Sequence, residues 1–235
     1  MSDGSALARD AVERVYRLTP LQAGMLFHEL KTRELETGGA SPYHRQMRFE
    51  IEGEIDAAAC EAAWNGLLAR HALLRSVFDW ERTAQPLQIV LKQQRVAFEA
   101  RDADAAAVAD WCAADVARGF DLRRDALIRV ALFRLGPGRF ELVWSHPHIL
   151  LDGWSGAVLI EEFTALYAAA RSGSTAPLPP ATDPDGFMAE AALRDEAAAQ
   201  QHWRALLADY DTIATLPRLP RGGAPSRMAE HCVRL

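Results

Sequence analysis

The sequence predicts a mixed α/β protein, an α+β layered sandwich in which a mixed sheet is covered by helices, mainly on one face. Segments with the two-residue alternation of half-buried strands are interspersed with segments that have the helical 3.6-residue spacing. Along the 235 residues the predicted order is helix, strand, helix, strands, helix, hairpin, helix and helix. This order is typical of a sheet packed against helices. Hydrophobic residues make up 49% of the chain, which is enough to form a substantial core.

Helix-start signals define the first half of the chain. Thr19 can cap a helix whose first and third positions are Pro20 and Gln22, and Asp56 can cap a second helix. Between these two helices, the apolar residues Met47, Phe49 and Ile51 alternate with charged ones and indicate a strand. The predicted elements of this half are a helix over 21–30, a loop over 31–42, a strand over 43–55, a helix to about 71, and strands over 73–80, 87–92 and 96–99.

A hairpin signal dominates the second half. The turn Gly136-Pro137-Gly138 joins two apolar runs, over 127–135 and 139–144, that read as strands. The other predicted elements are an alanine-rich helix opened by Asp102 or Asp104 and ending near 118, a helix from Gly153 to about 170, a linker over 172–180, a long helix over 184–209 whose continuity near Leu193 stays open, a connector over 216–225, and the start of a strand over 227–235.

Composition narrows the class of protein. The net charge of −6 argues against nucleic acid as a partner. Cys60, Cys112 and Cys232 lie far apart without the spacing of a metal site, so we expect three reduced thiols. The first residues show no secretory signal, and no window approaches the roughly 18 apolar residues of a membrane span. We therefore expect a cytoplasmic protein.

One segment carries most of the chemical information. Residues 145–155 read SHPHILLDGWS and follow a buried apolar run over 140–144. They place His148 just past the end of a strand, with Asp152 and Gly153 close behind it and a helix next. Because the pKa of histidine lies near neutral pH, a histidine at a strand end is a candidate for proton handling.

Three further segments accompany it in order. They are LTPLQAGMLFH at 18–28, RHALLRSVF at 70–78, and GFDL at 119–122, which is followed by the strand near 127–135. With the His148 segment, they resemble the successive motifs of condensation domains of nonribosomal peptide synthetases, including the family's His-His-x-x-x-Asp-Gly motif. The resemblance implies a chloramphenicol-acetyltransferase-like N-terminal lobe over 1–215. Residues 216–235 would then be a connector toward a second lobe.

The resemblance also implies a reaction, the formation of an amide bond. The donor would be an acyl or peptidyl thioester on the phosphopantetheine of one carrier protein, and the acceptor an amine on a second carrier. His148 would either accept the amine proton or hold the amine and stabilise the tetrahedral intermediate. Asp152 would pair with an arginine, Arg70 or Arg75, to hold the loop. Gly153 would allow a tight turn with positive φ.

Position 147 departs from the family pattern. Pro147 stands where the family has its first histidine, which removes a side-chain donor and a backbone N–H. His146 lies one position away and should point to the opposite face of an extended segment. Trp154 and Ser155 either line the family's substrate tunnel or simply begin the helix.

Two other functions stay open at this point. One is a non-catalytic module that binds carrier proteins or supports a neighbouring domain, and the other is an epimerization-type or other acyltransferase on the same scaffold. For each we expect no metal, no directly bound cofactor, no nucleic acid and no membrane. Besides the carrier proteins, we expect a second lobe or self-association. His28, His71 and His202 are isolated and should be surface or helix-packing residues.

Overall fold

The computed structural model describes residues 9–34 and 41–211. The chain divides into two compact units, Met1–Ala192 and Leu193–Leu235. The elements of the first unit are β1 (Val12–Arg17), α1 (Pro20–Glu34), β2 (His44–Glu52), α2 (Ala57–Arg70), β3 (Ser76–Asp79), β4 (Leu87–Leu91), β5 (Ala97–Asp102), α3 (Ala105–Arg118), β6 (Arg129–Gly136), β7 (Arg139–Pro147), α4 (Gly153–Ser172) and α5 (Asp185–Ala192).

The strands form two sheets. The smaller sheet has the order β1-β4-β3, and both of its pairings are antiparallel. The larger sheet has the order β2-β7-β6-β5, in which only the β5–β6 pairing is parallel. The predicted mixed α/β fold class is therefore confirmed.

Helices cover both faces of the larger sheet. On one face, Trp64 of α2 packs against Trp144 of β7 with ring centroids 5.0 Å apart, and Phe163 of α4 lies 5.4 Å from Trp64. On the other face, α3 contributes to a smaller cluster made of Val108, Cys112, Ala131, Phe133 and Val143. A third cluster joins Leu26 of α1 to Phe78, Phe120, Leu122, Leu127 and Ile149. The last of these residues lies next to His148.

Most predicted elements are present, with shifted ends. Asp56 caps α2 as expected, and Asp104 rather than Asp102 caps α3. The second strand of the hairpin continues to Pro147, three residues beyond the predicted end. β1 was not predicted as a strand, because its residues alternate between half-buried and exposed inside a polar segment.

The second unit contains α6 (Glu196–Leu206), which Asp195 caps. The predicted long helix is thus interrupted, since α5 ends at Ala192 and α6 begins at Glu196. The predicted division at 215/216, the connector over 216–225, the strand over 227–235 and Cys232 lie outside the described residues. Cys60 and Cys112 are free and buried. No described helix has the length and hydropathy needed to cross a membrane.

Candidate active site

The central strand β7 ends directly before His148, so that His148 lies at the end of the larger sheet. β7 is buried from Phe140 to Pro147 and lies between β2 and β6. It ends at Pro147, which pairs with His44 on β2. The Leu150 N–H then donates to the Pro147 carbonyl at 3.0 Å and closes a turn. His148 sits inside this turn, a few residues before α4 begins.

Two hydrogen bonds fix His148. Its backbone N–H donates to the Tyr43 carbonyl at 2.7 Å, and its ring Nδ1 lies 2.7 Å from the carbonyl oxygen of Leu151. Because a carbonyl oxygen only accepts, Nδ1 carries the hydrogen, and the lone pair of the neutral ring is on Nε2. The residue is half-buried, so it is not sealed in the core. The turn therefore holds His148 as an oriented hydrogen-bond acceptor.

His146 occupies a different environment. It is 4% exposed, and its ring centroid lies 5.0 Å from that of Trp144, on the face toward α2 and α4. Burial lowers the pKa of His146 to about 4, despite a hydrogen bond between its ring and the Pro147 carbonyl. His146 is therefore neutral at physiological pH and is buried on the face of β7 opposite to Pro147.

Pro147 points to the opposite face. It lines a small pocket with His44, Phe120 and Ile149, and the pocket is completed by Met25, Glu29, Ser41, Tyr43 and Leu122. The turn uses the Pro147 carbonyl and the His148 N–H but no atom of a side chain at position 147. Proline is thus compatible with the geometry of this turn.

The expected ion pair of Asp152 with Arg70 or Arg75 is wrong. The Asp152 carboxylate accepts the backbone N–H of Ser155 at 2.8 Å and its hydroxyl at 2.7 Å, which makes Asp152 the N-cap of α4. The Ser155 backbone N–H, and next its hydroxyl, lower the pKa of Asp152. Asp152 shapes the start of a helix because its short side chain satisfies an otherwise unpaired N–H group.

The two arginines have other partners. Arg70 Nε lies 2.9 Å from Glu162 Oε2 on α4. Arg75 is 7% exposed, and its Nη2 atom lies 2.6 Å from Glu13 Oε2. Arg75 also donates to three backbone carbonyls, those of Leu68, Ala69 and Leu91. Both arginines therefore hold secondary-structure elements together and do not contact Asp152.

The two residues after Asp152, Gly153 and Trp154, are exposed. Gly153 is the first residue of α4 and adopts no positive φ, so that expectation is also wrong. A Cβ atom at Gly153 would meet nothing within 4 Å. The Trp154 side chain follows it and is 86% exposed. Ser155 is used by the helix cap.

A buried polar network on the α3 face was not predicted from the sequence. Arg129 Nε lies 2.7 Å from Asp115 Oδ1, and Gln46 donates to Asp115 Oδ2 at 3.2 Å. His44 Nε2 is 3.3 Å from the same carboxylate, and neither this nitrogen nor Arg129 Nε is aligned for a hydrogen bond, so Arg129 acts on Asp115 through its charge. Burial alone would raise the pKa of Asp115, but contacts with His44 and Ser145 and the charge of Arg129 lower it to about 2.

Tertiary contacts bring these polar residues together from separate elements, so no local spacing marks the network. Within residues 9–34 and 41–211, no group of three or more His, Cys, Asp or Glu side chains is placed to hold a metal ion.

Solved structures of other proteins share the fold of this chain. The chain matches an X-domain solved in complex with OxyB from teicoplanin biosynthesis, with 25% identity and a TM-score of 0.74 over 92% of this chain and 49% of that one. It has the same fold as the first condensation domain of the calcium-dependent antibiotic synthetase, with 22% identity and a TM-score of 0.69 over 84% of this chain and 50% of that one. The chain therefore shares the fold of about half of each of these solved chains.

The family model described as "Condensation domain" matches residues 12–234, and the chain belongs to this family. It is 31% identical over 226 residues to bacitracin synthase 3 of Bacillus licheniformis, covering 93% of this chain and 4% of that protein. It is 30% identical over 221 residues to tyrocidine synthase 2 of Brevibacillus parabrevis, covering 91% and 6% respectively. The chain thus spans a small part of these synthetases and about half of the solved domains.

Proposed function

We propose that this chain is the N-terminal lobe of a nonribosomal peptide synthetase condensation domain. With a second lobe, it forms an amide bond between an acyl or peptidyl thioester and an amine, each presented on the phosphopantetheine of a carrier protein. The observation that carries this proposal is the bond from His148 Nδ1 to the Leu151 carbonyl, because it leaves Nε2 as the acceptor. The chain itself binds no further cofactor for this reaction.

The chemistry needs one well-placed acceptor. The amine nitrogen attacks the thioester carbon, a C–N bond forms, and negative charge develops on the carbonyl oxygen. His148 Nε2 accepts the proton that the attacking amine loses. The C–S bond then breaks, and the proton passes to the departing thiolate. A positioned acid–base group of this kind contributes about 10²–10⁴-fold to a rate.

Exposed apolar side chains support the need for a second lobe. Leu21, Phe27, Trp154 and Val158 are each about half exposed or more, with Trp154 at 86%. Surfaces of this kind mark interaction sites when their members cluster. We propose that the second lobe, or another copy of the chain, covers Trp154, and that the isolated lobe has little activity.

The decisive test combines this lobe with the second lobe of a condensation domain and measures condensation between loaded carrier proteins. In His148→Asn, the side-chain amide can still donate to the Leu151 carbonyl, but no acceptor remains at the Nε2 position. We expect product formation to fall by about 10²-fold or more while thermal unfolding is unchanged. His202→Ala, which removes an exposed histidine, is the matched control. Wild-type turnover by His148→Asn would overturn the catalytic assignment.

A second candidate function is carrier-protein docking without catalysis. One observation favours it, namely that the X-domain in the teicoplanin neighbour was solved in a complex with another protein, OxyB. On this alternative the chain would bind carrier proteins without forming product, and His148→Asn would leave their binding unchanged. Measuring carrier binding and turnover on the same samples separates the two candidates.

A further inference from the structure

Gln22 does more than begin a helix. The Thr19 N–H donates to Gln22 Oε1 at 3.0 Å, and the Gln22 N–H lies 3.3 Å from the Thr19 hydroxyl. These two reciprocal contacts form a capping box at the start of α1. They use the oxygen of the Gln22 side chain and leave its NH₂ group for other partners.

That NH₂ group reaches the turn that carries His148. Gln22 Nε2 donates to the backbone carbonyl of Ile149 at 3.3 Å and to Gln88 Oε1 on β4 at 3.0 Å. Ile149 is the residue directly after His148. One side chain therefore connects α1, the smaller sheet and the candidate catalytic turn.

Gln88 determines which way the Gln22 side-chain amide is turned. Gln88 is 2% exposed, and its own NH₂ group donates to the Ser76 hydroxyl on β3 at 2.8 Å. Gln88 therefore presents its oxygen to Gln22, which holds the Gln22 amide with its NH₂ group toward the turn. A buried amide held by one donor contact and one acceptor contact resists rotation, because turning it would place its NH₂ group against the NH₂ group of Gln22.

Among residues 9–34 and 41–211, no side chain other than that of Gln22 donates a hydrogen bond to the Ile149 carbonyl. The Pro147 carbonyl accepts from Leu150, the Tyr43 carbonyl accepts the His148 N–H, and the Leu151 carbonyl accepts His148 Nδ1. Gln22 thus supplies the contact that sets the turn against α1, while Ile149 packs in the same cluster as Leu26.

We infer that Gln22 is a positioning residue for His148, acting through the Ile149 carbonyl. The inference rests on the proposed function, and it assigns a second task to the motif at residues 18–28. If this contact is lost, the turn can shift against α1 and His148 Nε2 moves with it. Misplacement of a catalytic group by about 1 Å costs a rate on the order of 10²-fold.

Two variants separate positioning from helix capping. Gln22→Glu keeps an oxygen to accept from Thr19 but replaces the donor with a carboxylate oxygen that faces two acceptor oxygens. Thr19→Ala removes the hydroxyl of the cap and leaves both contacts of Gln22 Nε2. We expect the Gln22→Glu domain, paired with a second lobe, to lose about 10- to 100-fold in kcat with little change in KM. Thr19→Ala should retain kcat even though its α1 is weakened.

A second measurement does not depend on activity. In the ¹⁵N-labelled chain, NMR reports the His148 Nδ1 hydrogen that is bonded to Leu151. We expect this resonance to shift or broaden in Gln22→Glu and to stay in place in Thr19→Ala. An unchanged resonance together with an unchanged kcat in Gln22→Glu would overturn the inference. If instead the resonance shifts while His148→Asn retains full turnover, the positioning contact stands and the proposed catalytic role fails.

Discussion

His71 Nε2 lies 2.5 Å from Glu162 Oε2, so that the end of α2 is tied to the middle of α4. Arg70 approaches the same carboxylate oxygen at 2.9 Å. Both residues belong to the motif at 70–78, whose arginines were predicted from the sequence to hold the loop through Asp152. These two residues of the motif instead bind Glu162 and thereby hold α4, the helix that follows the His148 segment. The prediction of His71 as a helix-packing residue is compatible with this contact, although its charged partner was not foreseen.

The first prediction concerns Glu162. Burial alone would raise the pKa of Glu162, but hydrogen bonds from Arg70 and His71 lower it. Glu162→Gln removes the carboxylate charge that faces Arg70 and His71, and we expect the free energy of unfolding to fall by about 2–4 kcal/mol, since breaking a mostly buried pair leaves the Arg70 charge without compensation. Urea unfolding measures this loss. Glu161→Gln, on the exposed side of α4, is the matched control and should change stability by less than about 0.5 kcal/mol.

The lowered pKa of Glu162 also gives the sign of a pH effect. Because its folded pKa lies below the unfolded one, its stabilisation is present above the unfolded pKa and is lost as pH falls through the folded pKa. The difference in stability between the wild type and Glu162→Gln should therefore shrink in acid. If this difference in stability grew as pH fell, the stabilising role of the ionised Glu162 carboxylate would be contradicted.

The second prediction tests the corrected role of Asp152. As the N-cap of α4, it should tolerate Asn, whose side-chain oxygen can also accept the Ser155 N–H, but not Ala. We expect Asp152→Ala to cost about 1 kcal/mol in thermal or urea unfolding and Asp152→Asn to cost much less. An equal loss in both variants would instead indicate that the negative charge matters, as the rejected arginine pair requires.

The sequence was sufficient for some features and not for others. Helix caps at Asp56 and Asp104 were predictable because they depend on residues three positions apart at most. The apolar run over 140–144 likewise placed His148 just past the end of a strand. The partners of Arg70 and Arg75 were not predictable, since Glu162 and Glu13 are distant in sequence and only packing brings them close. Gln22 combines both cases. Its helix cap is a local contact that the sequence predicts, whereas its contact with Ile149 joins residues far apart in the sequence and could not be predicted.

The third prediction concerns the buried pair of Asp115 and Arg129, whose side chains are 2% and 3% exposed. Asp115→Asn leaves the Arg129 charge in the core without its partner, and we expect a loss of about 3–5 kcal/mol. Double replacement by Asn and Leu at positions 115 and 129 removes both charges and should be less destabilising than Asp115→Asn alone. Denaturant unfolding of the two variants checks the order. If the double variant were less stable than Asp115→Asn by several kcal/mol, an uncompensated charge would not be the main cost. Packing and hydrogen bonds of the pair would then account for its contribution.

The last prediction concerns His146, which burial keeps neutral with a pKa of about 4 against an ordinary value of 6.5. Between these pH values the unfolded chain binds more protons at this residue than the folded one, so stability is lost as pH falls. The shift corresponds to about 3 kcal/mol between pH 7 and pH 4. His146→Gln cannot take up the proton, and its stability relative to the wild type should improve by about this amount over that range.

Free energies of unfolding, measured in urea at several pH values, test this expectation. His202→Gln is the control because its side chain is exposed. Parallel curves for wild type and His146→Gln would mean that the His146 ring is hydrated and able to carry charge. His146 would then become a second proton-handling group beside His148, and the assignment of Nε2 of His148 as the acceptor would have to be tested against it.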